Sequence, residues 1–322
     1  MKKIAVFTSG GDAPGMNPCL RAVVRTGLHK GLEVAGIYRG YQGMIEGDII
    51  NMDNHSVSSI IQRGGTILKT ARSEEFRTPE GRKKAYKQLV KANIDGLVVI
   101  GGDGSFRGAM ALNQEYGIPV IGCPGTIDND LYGTDYTIGY DTAVNTVVSA
   151  VDQIRDTADS HNRLFFVEVM GRDAGFIALR SGIASGAEAV LIPETETYID
   201  SLIHTLEEGW KRNKTSAIII VAEGDEYGGA YDVARAVKEK FSNWETKVTV
   251  LGHIQRGGSP SAFDRVIASR MGNKAVEALL NGESNKMVGM LHSDLVLIPF
   301  EKATKHHNTI NKHLLELVDV LS

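Results

Sequence analysis

Two short acidic runs in this chain are set among glycines: Gly101-Gly-Asp-Gly-Ser105 and Pro124-Gly-Thr-Ile-Asp-Asn-Asp130. In the first, Asp103 sits in a backbone bare enough to touch phosphate. A hard carboxylate there is a natural partner for Mg²⁺, directly or through water. The second run offers two carboxylates two residues apart, Asp128 and Asp130, with Thr126 and Asn129 beside them. One carboxylate can accept a proton while the other orients or tunes it. Together the two runs point to phosphoryl transfer from a nucleotide to a hydroxyl.

Three further runs join apolar strands to helical patterns. Thr8-Ser-Gly-Gly-Asp-Ala-Pro-Gly-Met-Asn17 leaves the first strand. Its glycines free backbone N–H groups, and the helix that follows adds partial positive charge, so an anion fits. It matches neither GxGxxG nor GxxxxGKS. Met170-Gly-Arg-Asp-Ala-Gly175 puts Arg172 at an expected helix start, and Gly252-His-Ile-Gln-Arg-Gly-Gly258 puts His253 and Arg256 three residues apart, where both could reach one ligand.

The elements that must hold these runs follow a βαβ rhythm, which implies a mainly parallel sheet covered by helices. Strands are expected at Lys3–Thr8, Glu33–Tyr38, Asp95–Ile100, Ile118–Ile121, Leu164–Glu168, Ala189–Ile192, Ala217–Ala222 and Lys247–Leu251, with one or two in Met287–Ile298. Helices are expected near Met16–Lys30, Ser56–Gln62, Pro79–Ala92, Phe106–Glu115, Thr142–Ala158, Arg172–Ser185, Ile199–Arg212, Ala230–Phe241, Ala262–Leu280 and Asn308–Leu321. The pattern restarts after Gly139, and 322 residues is enough for about two domains. In open α/β sheets ligands collect beyond the carboxyl ends of the strands, which is where all of these runs fall.

Composition excludes some classes. The net charge of −4 argues against bulk binding of nucleic acid. No apolar run approaches the roughly 18 residues of a membrane span, and MKKIAVFTSGG reads as a first strand rather than a leader. Cys19 and Cys123 form no metal or disulfide framework, which fits a reducing cytoplasm.

The runs TSGGDAPGMN, RGGT at 63–66, GGDGS, PGTIDND, MGRDAG and GHIQRGG, in this order, resemble bacterial ATP-dependent 6-phosphofructokinase of the phosphofructokinase A family, from Lys2 to about Ile298. The resemblance implies an α/β fold of two similar three-layer α/β/α domains with mainly parallel sheets. Residues 1–139 plus about 253–303 would bind ATP, and 140–252 plus about 304–322 would bind fructose 6-phosphate. It implies a cytoplasmic, glycolytic, allosteric homotetramer that moves the γ-phosphoryl of MgATP to the 1-hydroxyl of fructose 6-phosphate. Asp128 would be the base, helped by Asp130. Arg172 and Arg72 would neutralise the transferring group, and Thr126 would hold it. Gly11, Arg72, Ser73, Gly102, Asp103, Gly104, Ser105 and Gly108 would form the ATP site, with Asp103 on Mg²⁺. Thr126, Ile127, Asp128, Met170, Gly171, Arg172, Glu223, His253 and Arg256 would bind the sugar phosphate, and Arg163 and Lys247 would reach it from a neighbouring subunit.

By the same resemblance ADP or phosphoenolpyruvate would bind at Arg21, Arg25, Arg155, Gly186, Glu188, Arg212 and Lys214. The chain departs from the family at three places. Lys247 stands where arginine is usual, Asn54 where some members place arginine, and Ser216 where they have histidine. Pyrophosphate-dependent relatives carry Asp in place of Gly104 and Lys in place of Gly125, so glycine at both positions favours ATP. A GGDG-type loop alone would also suit lipid or NAD kinases. A nucleotide-sensing subunit without chemistry would have damage at Asp128, Asp103, Arg72 or Arg172, and all four are present.

Overall fold

The computed structural model describes residues 1–161, 163–241 and 244–321. The chain divides into two compact units. The first comprises Met1–Ile127, Leu131–Thr142 and Arg256–Asn308, and the second Asp128–Asp130, Ala143–Gln255 and Thr309–Ser322. The short Asp128–Asp130 stretch packs with the second unit although the residues on either side of it belong to the first.

In the first unit β1 (Lys3–Thr8), α1 (Met16–His29), β2 (Glu33–Ile37), α2 (Gly40–Glu46) and β3 (Ile49–Met52) come first. Then follow α3 (Pro79–Lys91), β4 (Gly96–Gly101), α4 (Asp103–Tyr116) and β5 (Val120–Pro124). Helix α5 (Tyr140–His161) carries the chain into the second unit, where β6 (Arg163–Val169), α6 (Phe176–Ser185), β7 (Ala189–Leu191), α7 (Ile199–Lys211), β8 (Ala217–Ala222), α8 (Ala230–Lys240) and β9 (Glu245–Val250) lie. The first unit resumes with α9 (Ala262–Leu280), β10 (Lys286–Leu291), β11 (Asp294–Pro299) and α10 (Phe300–Lys305), and α11 (Lys312–Leu321) belongs to the second.

The first unit's sheet has seven strands in the order β11-β10-β5-β4-β1-β2-β3. Its interior pairs are parallel, and only the edge strands β3 and β11 run antiparallel to their neighbours. The central strands β1 and β4 are almost wholly buried, as expected of strands covered on both faces. Phe7, Leu97, Phe106, Leu112 and Phe300 are fully buried in one cluster, and the Phe106 and Phe300 rings stack at 4.9 Å. The second unit's sheet has four strands, β7-β8-β6-β9, all parallel. Phe166, Ile219, Val221 and Val237 anchor its core against α7 and α8.

Three local expectations are corrected. Ser56–Gln62 does not form a helix; it is a run of turns. The Asp53 carboxylate accepts from the Ser56 amide and hydroxyl, each at 2.8 Å, and the Ser58 hydroxyl donates to the His55 carbonyl at 2.9 Å. Side chains thus claim backbone groups that a helix would need, and Ser59 adopts a left-handed φ of 53°. The helix expected from Arg172 begins only at Phe176, and the one expected from Phe106 begins three residues earlier, at Asp103. Helices α2 and α10 and strand β3 lie where no element was expected.

Candidate active site

In the first unit, the loops after β1, β4 and β5 meet through backbone. The Ser9 amide donates to the Ile100 carbonyl at 2.9 Å, and the Gly125 amide to the Gly101 carbonyl at 3.0 Å. A Cβ on Gly101 would lie 2.4 Å from the Ser9 carbonyl oxygen, so only glycine allows this approach. Asn17, almost fully buried, ties in the 63–66 turn. Its amide nitrogen donates to the carbonyls of Arg63 (3.0 Å) and Gly64 (3.2 Å), and its oxygen accepts from the Ile67 amide at 2.9 Å.

Helix α4 opens at Asp103 with Gly102 as its N-cap, and no side chain caps its first turn. The first amides of a helix lack intrahelical acceptors and attract anions. A Cβ on Gly104 would meet nothing within 4 Å, and one on Gly102 only Thr126 at 3.9 Å, so the space in front of this helix end is open. Gly125 differs. A Cβ there would crowd Ile100 and Met16 at 3.1 Å, so a larger residue requires its neighbours to give way.

The Asp103 carboxylate is paired with Arg107 at 3.0 Å, and Arg107 also donates to the Thr304 carbonyl at 3.2 Å. Among the described residues no group of three or more His, Cys, Asp or Glu side chains could hold a metal by itself. Magnesium needs no such cage, because one carboxylate with substrate phosphates and water suffices. A single part-exposed carboxylate beside open helix amides therefore fits a magnesium ion that arrives with a nucleotide.

Other expected nucleotide residues sit close by in this unit. Gly108 lies under Tyr41: a Cβ would come within 3.0 Å of the ring. Tyr41 stacks on Phe76 at 3.9 Å and donates to the Ser105 carbonyl at 2.5 Å. The Ser73 hydroxyl donates to Gln42 at 2.8 Å and accepts from the Phe76 amide at 3.2 Å, while Arg72 is exposed. At Gly11 a Cβ would lie 2.7 Å from the Arg256 guanidinium, which also donates to the Asp12 carbonyl at 3.3 Å. Arg256 thus rests on the first glycine loop and belongs to the first unit, whereas His253 belongs to the second and is exposed.

In the second unit, the PGTIDND carboxylate meets the MGRDAG arginine. Asp128 is 3% exposed, and its Oδ2 lies 3.6 Å from Nε of Arg172. Both loops carry left-handed backbone, with Asn129 at φ 55° and Arg172 at φ 54°. Asparagine adopts such values readily, whereas an arginine holds them where the surroundings impose them. For Arg172 the agents are visible: its amide donates to Glu223 Oε1 at 2.8 Å, and the Gly171 amide donates to the same oxygen at 3.3 Å. Gly224 lies so close to the Arg172 carbonyl oxygen that a Cβ would stand 1.9 Å from it. The Met170 amide donates to the fully buried Gln255 at 3.2 Å, and Gln255 in turn donates to the Gly252 carbonyl at 3.0 Å.

Glu223 therefore acts on the Arg172 backbone at one oxygen. Gln255 and Gly224 were not singled out in the sequence. Gln255 could have been, since a glutamine buried inside a glycine-rich motif needs partners. Gly224 carries no signal until its neighbour is known.

Arg163 and Lys247 converge on Glu245, at 2.8 Å and 2.5 Å. Of the expected effector residues, Arg155, Gly186, Glu188 and Lys214 come together. Arg155 donates to the carbonyls of Ser185 (2.8 Å) and Gly186 (2.9 Å), and Glu188 lies 4.0 Å from Arg155 and 3.8 Å from Lys214. Arg212 closes α7 and is exposed. Arg21 and Arg25, one turn apart on α1, belong to the first unit. Burial, and then the neighbouring charge of Arg25, lower the pKa of Arg21. Ser216 donates its hydroxyl to Asp159, and Asn54 is exposed.

Among the described residues no helix is long and apolar enough to cross a membrane. The family model described as Phosphofructokinase matches residues 3–279. The chain is 58% identical, over all of its length and 98% of the relative's, to an ATP-dependent 6-phosphofructokinase of Cytophaga hutchinsonii. It is 57% identical to ATP-dependent 6-phosphofructokinase 1 of Thermus thermophilus over the full length of both. It also superposes on the solved phosphofructokinase of Saccharomyces cerevisiae with a TM-score of 0.91 and 40% identity, across 95% of this chain and 45% of that one. The glycine-built loops, the strained Arg172 and the whole-length matches agree: the chain belongs to the phosphofructokinase family.

Proposed function

We infer that this chain is an ATP-dependent 6-phosphofructokinase, a phosphotransferase that converts fructose 6-phosphate and ATP into fructose 1,6-bisphosphate and ADP. The 1-hydroxyl oxygen of the sugar attacks the γ-phosphorus. The bond from that phosphorus to the β–γ bridging oxygen breaks, and ADP leaves with the electron pair. The hydroxyl proton passes to the carboxylate of Asp128, with Asp130 orienting the loop. Arg172 and Arg72 offset the charge that spreads over the transferring group, the main task in such reactions. Thr126 holds that group.

The observation that carries this reading is the buried Asp128 carboxylate 3.6 Å from Arg172, whose strained backbone is held by Glu223 and Gly224. A base and a cation fixed so closely suit a reaction that needs positioning more than covalent chemistry. On the donor side, Gly11, Ser73, Gly102, Gly104, Ser105 and Gly108 would bound the nucleotide. Asp103 would hold Mg²⁺, which neutralises phosphate charge when bound. The open space at Gly104 favours a donor with an α-phosphate and nucleoside over pyrophosphate. On the acceptor side, Ile127, Met170, Gly171, Glu223, His253 and Arg256 would bound the sugar phosphate.

The reading extends to a homotetramer in which Arg163 and Lys247 serve a neighbouring copy's sugar phosphate. ADP or phosphoenolpyruvate would be taken by Arg21, Arg25, Arg155, Gly186, Glu188, Arg212 and Lys214. The committed step of glycolysis, in the cytoplasm, is the setting this chemistry implies. The test is a coupled assay for fructose 1,6-bisphosphate with fructose 6-phosphate and either ATP or pyrophosphate. Turnover with ATP and Mg²⁺ is expected; turnover with pyrophosphate alone refutes the donor assignment.

A further inference from the structure

Arg163 and Glu245 open β6 and β9 and face each other across the parallel ladder. Lys247 follows Glu245 by two residues, on the same face of its strand. The register thus puts one carboxylate between two cations. Glu245 Oε2 accepts from Nε of Arg163 at 2.8 Å, and Oε1 lies 2.5 Å from the Lys247 ammonium. Lys247 and then Arg163 pull the Glu245 carboxyl down to about 2. Glu245 is therefore an anion across the whole working pH range. All three side chains reach solvent, with Glu245 54% exposed.

Two cations with a short reach to one anion make a phosphate-sized site, and here the anion comes from the protein. A phosphate ester dianion arriving at Arg163 and Lys247 finds Nε of the arginine already bonded to Glu245 and the Lys247 ammonium already paired with it. It also meets a local charge of +1 rather than +2. We propose that Glu245 is a resident competitor for the phosphate group of the acceptor, setting its affinity by occupying both cations when the sugar phosphate is absent. The proposal rests on reading Arg163 and Lys247 as the cations that bind the 6-phosphate.

The test compares Glu245→Gln with Arg163→Ala and Lys247→Ala in steady-state assays over a range of fructose 6-phosphate, at fixed MgATP and fixed ionic strength. Glutamine keeps the size and an acceptor oxygen while removing the charge. Glu245→Gln is expected to lower the half-saturating sugar phosphate about threefold to tenfold, with kcat unchanged. Inorganic phosphate, added as a competitor against fructose 6-phosphate, is expected to inhibit that variant at correspondingly lower concentration. If Arg163→Ala and Lys247→Ala raise half-saturation while Glu245→Gln leaves it unchanged or raises it, Glu245 only positions the cations and the proposal is overturned. If neither cation variant alters half-saturation, the underlying assignment of Arg163 and Lys247 fails instead.

Discussion

Replacing Gly224 with alanine tests whether the placement of Arg172 governs turnover. The new Cβ would lie 1.9 Å from the Arg172 carbonyl oxygen, 2.9 Å from its carbonyl carbon and 3.3 Å from Asp173 Cα. All three obstacles are backbone, so no side-chain rotation relieves the clash, and the two segments must separate by about 1 Å. That displacement falls on a residue already at φ 54° and fastened through its amide to Glu223. A misplacement of about 1 Å at a reacting centre costs roughly 100-fold in rate, or about 2.7 kcal/mol of barrier. The overpacking itself destabilises the fold by about 1–3 kcal/mol. The assay is kcat for fructose 1,6-bisphosphate formation at saturating substrates, with a thermal melt to show that the variant is folded. Gly209→Ala on α7 is the control, since its Cβ meets only Lys214 at 3.4 Å and 4.0 Å and alanine is a better helix former. A folded Gly224→Ala enzyme with kcat within threefold of the parent would falsify the claim that this close approach positions Arg172.

Asp128→Ser is expected to lower kcat by about 10³-fold with little change in sugar-phosphate binding; calorimetry beside kinetics checks this, and unchanged turnover removes Asp128 as base. Gly104→Asp has room to fold, because its Cβ would meet nothing within 4 Å. It should weaken MgATP binding at least about tenfold by placing a carboxylate before the helix amides, and an unaltered KM for ATP would refute that placement. Asp264 gives a pH signature. It accepts from the Gly139 and Thr142 amides, each at 2.8 Å, and from the Thr142 hydroxyl at 2.5 Å, yet burial outweighs these donors and pushes its pKa up to about 6. Its folded-state pKa lies above the unfolded value near 4. Its stabilising contribution is therefore full below about pH 4 and lost as pH rises through about 6. Denaturant titrations should show the parent gaining roughly 1–2 kcal/mol relative to Asp264→Asn between pH 7 and pH 5; a gap that does not change with pH excludes Asp264 as the titrating group.

The sheets were legible because buried parallel strands announce themselves as apolar runs. Gly96–Gly101 and Ala217–Ala222 are buried at every position, and both were expected within a residue. The elements that escaped are short and lean on tertiary partners. Helix α2 starts and stops on left-handed residues, Arg39 and Gly47, which its sequence does not mark as caps. Strand β3 is a part-exposed edge with one buried residue, Met52. Ser56–Gln62 has helical periodicity, but Asp53 and Ser58 spend their side chains on backbone and win locally. Within the site, glycines and acids were legible as motifs because phosphate chemistry constrains their types. The supporting contacts were not. That Glu223 grips the Arg172 amide, or that Glu245 bridges Arg163 and Lys247, depends on strand register, which joins residues more than 50 positions apart.

The discontinuous first unit has a consequence for biosynthesis. Strand β10, which covers the β5 side of the seven-stranded sheet, begins at Lys286, about nine-tenths of the way along the chain. The four-stranded sheet of the second unit is complete in sequence by Val250. During synthesis, the four-stranded sheet can therefore pair before the seven-stranded one is complete. Until β10 has left the ribosome, β5, with its wholly buried Val120–Pro124, remains an open apolar edge. Such edges are where nascent chains pair wrongly. Ribosomes that stall before residue 286 would release aggregation-prone fragments, whereas chains ending after β11 would have the edge covered.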